Sequence, residues 1–279
     1  MSTGANGTGK RIFITGGASG FGRAIAERWA RAGYRVCIGD IHDERLAETV
    51  KSLRALGGEE AHSLRCDVTK EADLEAAAKW LEENWGGVDV VVNNAGVAVG
   101  GGITDISIDD WRWIIDINLL GVVRGCKVFT PMFRKQGGGR FVNVSSMAGL
   151  IHPPMMSAYN ATKAAVVAIS ETLAVELAAD KIAVTVVCPS FFRTNLTETM
   201  RTGTPDIAAV THKLVNKASR SADDIADLTF RSVQRGDFHV LTHADGKAAW
   251  MLKRLAPFSV YAAAITKNTR RMMGKNPPR

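Results

Sequence analysis

Apolar residues along the chain come in short runs, and between the runs they recur every three or four positions. The first run, RIFITGG (11–17), ends in glycines, and helical spacing from Phe21 to Ala32 follows until Gly33 stops it. YRVCIGD (34–40) predicts a second strand, and DERLAETVKSLRALGG a second helix with its own glycine stop. Further strands are expected at AHSLRCDV (61–68), VDVVVNNAG (88–96), GRFVNVSS (139–146), IAVTVVCPS (182–190) and FHVLT (238–242). Helices are expected near 71–85, 107–135, 157–178, 193–216 and 222–235. The connections are too long for hairpins, so the strands pair in parallel, and their near-continuous Val and Ile runs imply cover on both faces. The fold class is therefore α/β: a doubly wound, Rossmann-type parallel sheet of about seven strands, three-layered and in one domain. The domain is expected over 11–245, after a loose tail at 1–10. The stretch 191–220, rich in Thr, Met and charge, breaks the rhythm where a lid over the cleft would lie.

TGGASGFG (15–22) lies between the first strand and the first helix, with Gly16, Gly20 and Gly22 in GxxxGxG spacing. Glycines there let the backbone approach a pyrophosphate, and the helix start offers free N–H groups. The plainer reading is an ordinary tight turn, but its place in the first βα unit favours a nucleotide. Ser19, Phe21 and Ile41 complete the candidate contacts around that corner. Asp40 ends the second strand, where a carboxylate accepts from both ribose hydroxyls and repels a 2′-phosphate. Ser19 supplies no compensating cation, so NAD is favoured over NADP, with His42 and Arg45 left as possible aids to NADP. The alternative role for Asp40 is to cap the helix starting near Asp43.

SMAGLIHPPMMSAYNATK (146–163) holds a hydroxyl, a phenol and an amine. Tyr159 and Lys163 are four apart, which stacks them on one helix face. An ammonium beside a phenol favours the phenolate, so the expectation is a lowered Tyr159 pKa and a usable proton carrier. Ser146 lies thirteen residues before Tyr159, across a loop with Pro153 and Pro154. Such a loop can bring its hydroxyl to the same substrate oxygen.

Composition (46% hydrophobic, 23% charged) is ordinary for a soluble enzyme, and no apolar run reaches the ~18 residues of a membrane span. Cys37, Cys66, Cys126 and Cys188 form no CxxC pair and read as core residues in a reducing, cytoplasmic setting, not as a disulfide or metal framework. From Gly246 onward there are eight Lys or Arg and no Asp or Glu, so this extension carries +8 and the rest of the chain about −1, for the net +7. The body is near neutral, and nothing in it suggests a nucleic-acid partner. In the extension, Trp250, Leu252, Leu255, Phe258 and Tyr261 interleave with cations, and Pro257 interrupts any single helix. A helix packed on the protein is the favoured reading, and a basic amphipathic contact with a membrane surface the alternative.

TGGASGFG, CDV, NNAG, Asn118, Ser146 and YNATK, in this order and on these elements, resemble the classical short-chain dehydrogenase/reductases over about 11–242. The resemblance implies that Asp67 and Val68 flank an adenine and that Asn94, Ala95 and Gly96 lie beside its ribose. It implies a catalytic set of Asn118, Ser146, Tyr159 and Lys163. In that set Lys163 also holds the nicotinamide ribose, and Asn118 disrupts its helix and holds a water behind Lys163. Ser145 is expected to face the sheet or the cofactor. Pro189, Phe192 and Thr194 are expected to border the nicotinamide, although Ser190 replaces the family's glycine. The implied activity is hydride transfer between a secondary alcohol and its ketone. A NADPH-dependent carbonyl (3-oxoacyl-type) reductase and a non-catalytic nucleotide sensor are the competing readings. The substrate wall is expected from 97–103, 150–156 and 191–200, with Met155, Met156, Phe191, Phe192, Leu196 and Met200 making it apolar. The family commonly forms dimers and tetramers through the helices near 107–135 and 157–178, so a homo-oligomer is expected.

Overall fold

The computed structural model describes residues 9–57, 60–194, 198–202 and 205–273. Leu196 and residues 1–8 of the expected N-terminal tail lie outside the described residues. Seven strands form one parallel sheet: β1 (Arg11–Thr15), β2 (Arg35–Asp40), β3 (His62–Arg65), β4 (Val90–Asn93), β6 (Gly139–Val144), β7 (Ile182–Cys188) and β9 (His239–Leu241). Their order is β3-β2-β1-β4-β6-β7-β9. The order reverses between β1 and β4, and that reversal opens a crevice at the carboxyl ends of these two strands. Two short strands, β5 (Val99–Gly100) and β8 (Arg201–Thr202), pair outside the sheet.

The period-two alternation of the strands builds both cores. Ile12, Ile14, Val36 and Ile38 face one layer, formed by α1 (Gly20–Ala30), α2 (Asp43–Ala55) and α9 (Ala222–Arg235). Phe13, Cys37, Val91 and Phe141 face the other, formed by α3 (Glu71–Trp85), α5 (Gly121–Lys135) and α7 (Ser157–Glu176). The layers are sharply bounded. Ser221 and Asp224 form a capping box at the start of α9, and Gly86 and Gly236 end α3 and α9 in the left-handed region.

Three expected elements differ. The helix over 107–135 is α4 (Ile108–Ile115) and α5 joined by a π-helical turn, Asp116–Leu120, which contains Asn118. The strand over 88–96 stops at Asn93, because the Asn94 amide N–H leaves the ladder and donates to Thr15 Oγ1 at 3.0 Å. The helix over 193–216 is only α8 (Pro205–Asn216), preceded by β8. Arg201 keeps β8 extended: its N–H donates to Ala98 O, and its guanidinium meets Asp110 at 3.2 Å and lies 3.7 Å from the Trp113 ring centre. Tertiary partners here override local helical spacing.

The extension forms α10 (Ala244–Leu255) and α11 (Phe258–Met273), broken at Pro257 as expected. One face docks on the segment after Ser146, which carries the four-residue α6 (Ala148–Ile151). Trp250 packs into the cluster of Met147, Leu150 and Cys188. Lys253 Nζ donates to Leu150 O at 2.6 Å and contacts His152 Nδ1 at 2.8 Å, while the buried Tyr261 hydroxyl donates to Ile151 O.

Candidate active site

The glycine corner sits at the mouth of the β1/β4 crevice. Gly16 (φ 64°) and Gly20 (φ 51°) occupy the left-handed region. A Cβ on Gly22 would lie 2.1 Å from Gly16 O and 2.5 Å from Asn94 Nδ2, so no side chain fits there. Ser19 precedes α1 without a side-chain cap, and the first turn of α1 carries no acid, which leaves its positive end open to an anion. Asp40 is buried, and its carboxylate accepts from Ala18 N (3.1 Å), Ile41 N (2.8 Å) and His42 N (3.2 Å). It therefore ties the glycine loop to the end of β2. It does not cap α2, whose N-cap is His42. Ile41 is half exposed beside it. Arg45 is turned away to Glu198 at 3.2 Å, and Phe21 meets Phe192 edge-on, ring centres 5.3 Å apart.

Across the crevice, Asn94 Nδ2 donates to Thr15 O (2.9 Å) and Gly16 O (3.1 Å), and Ala95 N donates to Thr15 Oγ1 at 3.2 Å. Asp67 accepts from the amide and hydroxyl of Thr69. Partial burial works to raise its pKa, but the Thr69 bonds, with Lys70 and Arg124, hold it below the usual carboxylate range. Val68 is buried against Gly121, and its carbonyl accepts from Arg124 at 3.1 Å.

Ser146, Tyr159, Lys163 and Asn118 converge behind this corner. Ser146 Oγ accepts from Ala148 N (3.1 Å) and donates to Pro189 O (3.3 Å). It is also near enough to the Tyr159 phenol to pull its pKa down against the larger effect of burial. Lys163 Nζ sits 5.8 Å from the Tyr159 ring centre and donates to Val144 O at 2.9 Å. Gly96 makes room for the set, since a Cβ there would lie 3.2 Å from Asn118 Oδ1 and 3.4 Å from Lys163 Nζ. Ser145 faces inward, where its hydroxyl donates to Lys163 O at 2.7 Å and pins α7 to the end of β6.

One expectation changes. Burial pushes the Tyr159 phenol above its ordinary pKa, against the opposing pull of Ser146. The expected lowering is absent because the Lys163 ammonium is directed at Val144 O, and burial depresses Lys163 itself to about 8. The Asn118 side chain pairs with Val97, accepting from its N–H at 2.8 Å and donating to its carbonyl at 2.9 Å, with a longer contact to Thr162 Oγ1 at 3.5 Å.

Above the set, Met156 and Met200 pack in the cluster that contains Tyr159, with Trp111 and Trp113. The Met155 carbonyl (φ 62°) accepts from Gly101 N at 2.8 Å. Phe192 departs from the expected substrate wall by packing on Phe21, Phe191 is partly exposed, and Thr194 is half-buried. Asn160 was not singled out from the sequence. Its Nδ2 donates to Pro153 O at 2.7 Å and fixes the loop before Tyr159, and its place in YNATK was the available signal. The buried Asn93, Asn143 and Ser170, joined at 2.9 and 3.0 Å, were also missed, because single polar residues in strands carry no spacing pattern.

The model of the family described as short chain dehydrogenase matches residues 10–205. The chain belongs to the short-chain dehydrogenase/reductase family. It is 34% identical over 254 residues to a dehydrogenase/reductase of CLA biosynthesis from Lactiplantibacillus plantarum, covering 85% of this chain and 88% of that one. It is 36% identical over 190 residues to a 3-oxoacyl-(acyl-carrier-protein) reductase from Thermotoga maritima, covering 68% and 77%. A family structure from Burkholderia phymatum, in complex with NAD, superimposes with a TM-score of 0.84 at 35% identity, covering 90% of this chain and 95% of that one. Membership makes this chain an oxidoreductase acting on CH–OH donors with a nicotinamide nucleotide. Among the described residues no helix is long and apolar enough to cross a membrane.

Proposed function

We propose that this short-chain dehydrogenase/reductase is NAD-dependent and interconverts a hydrophobic secondary alcohol and its ketone. The observation that carries the reading is the convergence of Ser146, Tyr159, Lys163 and Asn118 behind a glycine corner with no room for side chains. Gly16, Ser19, Gly20, Phe21 and Gly22 would hold the pyrophosphate, and Asp40 and Ile41 the adenosine ribose and its surroundings. Asp67, Val68, Asn94, Ala95 and Gly96 would line the adenine side, with Pro189, Phe192 and Thr194 beside the nicotinamide. Asp40 favours NAD because a third anion on a phosphorylated ribose would meet its carboxylate. The NAD in the similar Burkholderia phymatum structure supports the same choice.

When bound, the nicotinamide nucleotide supplies the hydride chemistry. Tyr159 moves the proton at the substrate oxygen, and Ser146 donates to that oxygen as negative charge develops. A phenol held above its ordinary pKa is protonated at neutral pH, which suits donation to a ketone. In the oxidative direction a cation brought next to the ring would lower that pKa. Lys163 would bind the nicotinamide ribose, and Asn118 holds Val97 and the π turn behind it. Met156 and Met200 line an apolar wall that repels charged substrates. The exposed Ala161, Ala168 and Val175 of α7 support a homo-oligomer formed through α5 and α7.

The test is a panel of secondary alcohols with NAD, read by absorbance of the reduced cofactor. Turnover by the parent is expected, with a loss on the order of 10²–10⁴ in Tyr159→Phe and unchanged NADH binding by fluorescence. Activity of Tyr159→Phe within a few-fold of the parent would overturn the assignment. A second reading, an NADPH-dependent 3-oxoacyl-type reductase, draws on Arg65, which pairs with Asp40 across β2 and β3, and on the Thermotoga maritima relative. Faster turnover with NADPH than with NADH would favour it.

A further inference from the structure

The face of α10 and α11 opposite the docked one is uncovered, and its composition is unusual for this chain. Gly246, Trp250, Lys253 and Tyr261 point inward to the segment after Ser146. Met251, Leu252, Leu255, Phe258 and Val260 point outward. Among the described residues, five of the eleven large apolar side chains that are exposed fall in this ten-residue stretch. Leu255 and Phe258 are each 78% exposed and flank Pro257, so they project from the corner where the two helices meet. Lys247, Arg254 and Lys267 are exposed around them. No acidic residue occurs from Gly246 to the last residue, while eight Lys or Arg do.

The geometry points to an anionic lipid surface as the occupant of this face, with the Leu255–Phe258 corner inserted between headgroups. A protein interface depletes charge at its core and fits its apolar centre closely to a complementary surface. A projecting apolar corner flanked by Lys247, Arg254 and Lys267, with no acid in the sequence after Asp245, fits lipid headgroups instead. Apolar insertion and cation attraction are the two contributions that together hold an interfacial helix. The docked face keeps the helices folded against the body, so no ordering of the segment is needed on contact. Because the same helices hold Leu150, Ile151 and His152, contact at this corner also sets the substrate loop beside the bilayer.

Full-length protein is sedimented with vesicles of phosphatidylcholine alone and of phosphatidylcholine with phosphatidylglycerol. Binding at least about tenfold stronger to the anionic vesicles, lost at high salt, is expected. Leu255→Glu/Phe258→Glu is expected to stay in the supernatant with its turnover unchanged. Lys247→Glu/Lys267→Glu, which leaves the apolar corner intact, is expected to lose the preference for anionic lipid. A parent that pellets with neither vesicle, or equally with both, overturns the proposal, as does a charge-reversed variant that binds like the parent. If the parent ignores vesicles and Leu255→Glu/Phe258→Glu shrinks its size on gel filtration, the face is a contact between copies of this chain and the lipid assignment fails.

Discussion

Tyr159 and Lys163 show how burial and charge compete at single residues. Their four-residue spacing predicts a phenol acidified by its neighbour, yet both are buried, and desolvation raises the one and lowers the other. Lys163 is thus a strained residue, kept for function at a cost in stability. Below about pH 8 folded and unfolded chains both carry its proton, and the burial penalty is fully present. Between about 8 and the ordinary 10.5 the folded chain releases the proton first, so the penalty shrinks as pH rises. Lys163→Met is expected to abolish turnover while raising unfolding stability at pH 7 by about 1–3 kcal/mol. Denaturant melts should show that gain narrowing toward pH 10. Asp40 has a dual character that its position alone does not reveal, because three backbone N–H groups already use its carboxylate. Asp40→Asn keeps one acceptor oxygen and removes the charge. It is expected to raise kcat/KM for NADP relative to NAD by about tenfold, at some loss of thermal stability, measured by steady-state kinetics with both cofactors.

At the scale of elements, the loop over 150–156, proposed to border the substrate, is held from two sides. Gly101 and Asn160 grip Met155 and Pro153, while Lys253 and Tyr261 grip Leu150 and Ile151 from the extension. His152 (φ 46°) and Met155 (φ 62°) are left-handed without being glycine, a conformation that costs about 1–3 kcal/mol and persists only where neighbours enforce it. The extension is therefore expected to act on catalysis through the loop. Lys253→Met with Tyr261→Phe should raise KM for the alcohol several-fold and leave KM for NAD unchanged. A change confined to the cofactor constant would contradict this. The periodicity revealed these helices and the Pro257 break. It could not show which face would be buried, because cations and apolar residues interleave on both.

At the scale of the whole molecule, the reversal of strand order between β1 and β4 gathers the site. Residues from the ends of β1, β2, β4 and β6, from the π turn and from α7 meet there, although the sequence separates them by more than a hundred positions. A nucleotide bound across this crevice contacts both halves of the sheet and is coupled to global unfolding. NAD at about a hundred times its dissociation constant is expected to stabilise the fold by about 2.7 kcal/mol. NADP at the same concentration should give a smaller rise in Tm, and equal rises would contradict the cofactor choice.

The sequence by itself determined the alternation of strands and helices, the parallel pairing, the glycine corner and the Ser146, Tyr159 and Lys163 spacing. Each of these follows from backbone periodicity or from steric demands within one loop. Only the tertiary structure decided that Tyr159 is raised and Lys163 depressed. It also decided that Asp40 braces the glycine loop, that Arg201–Thr202 form β8 in place of a helical turn, and that the extension clamps the loop over 150–156. Those outcomes depend on desolvation and on partners distant in the chain, and neither is encoded in local spacing.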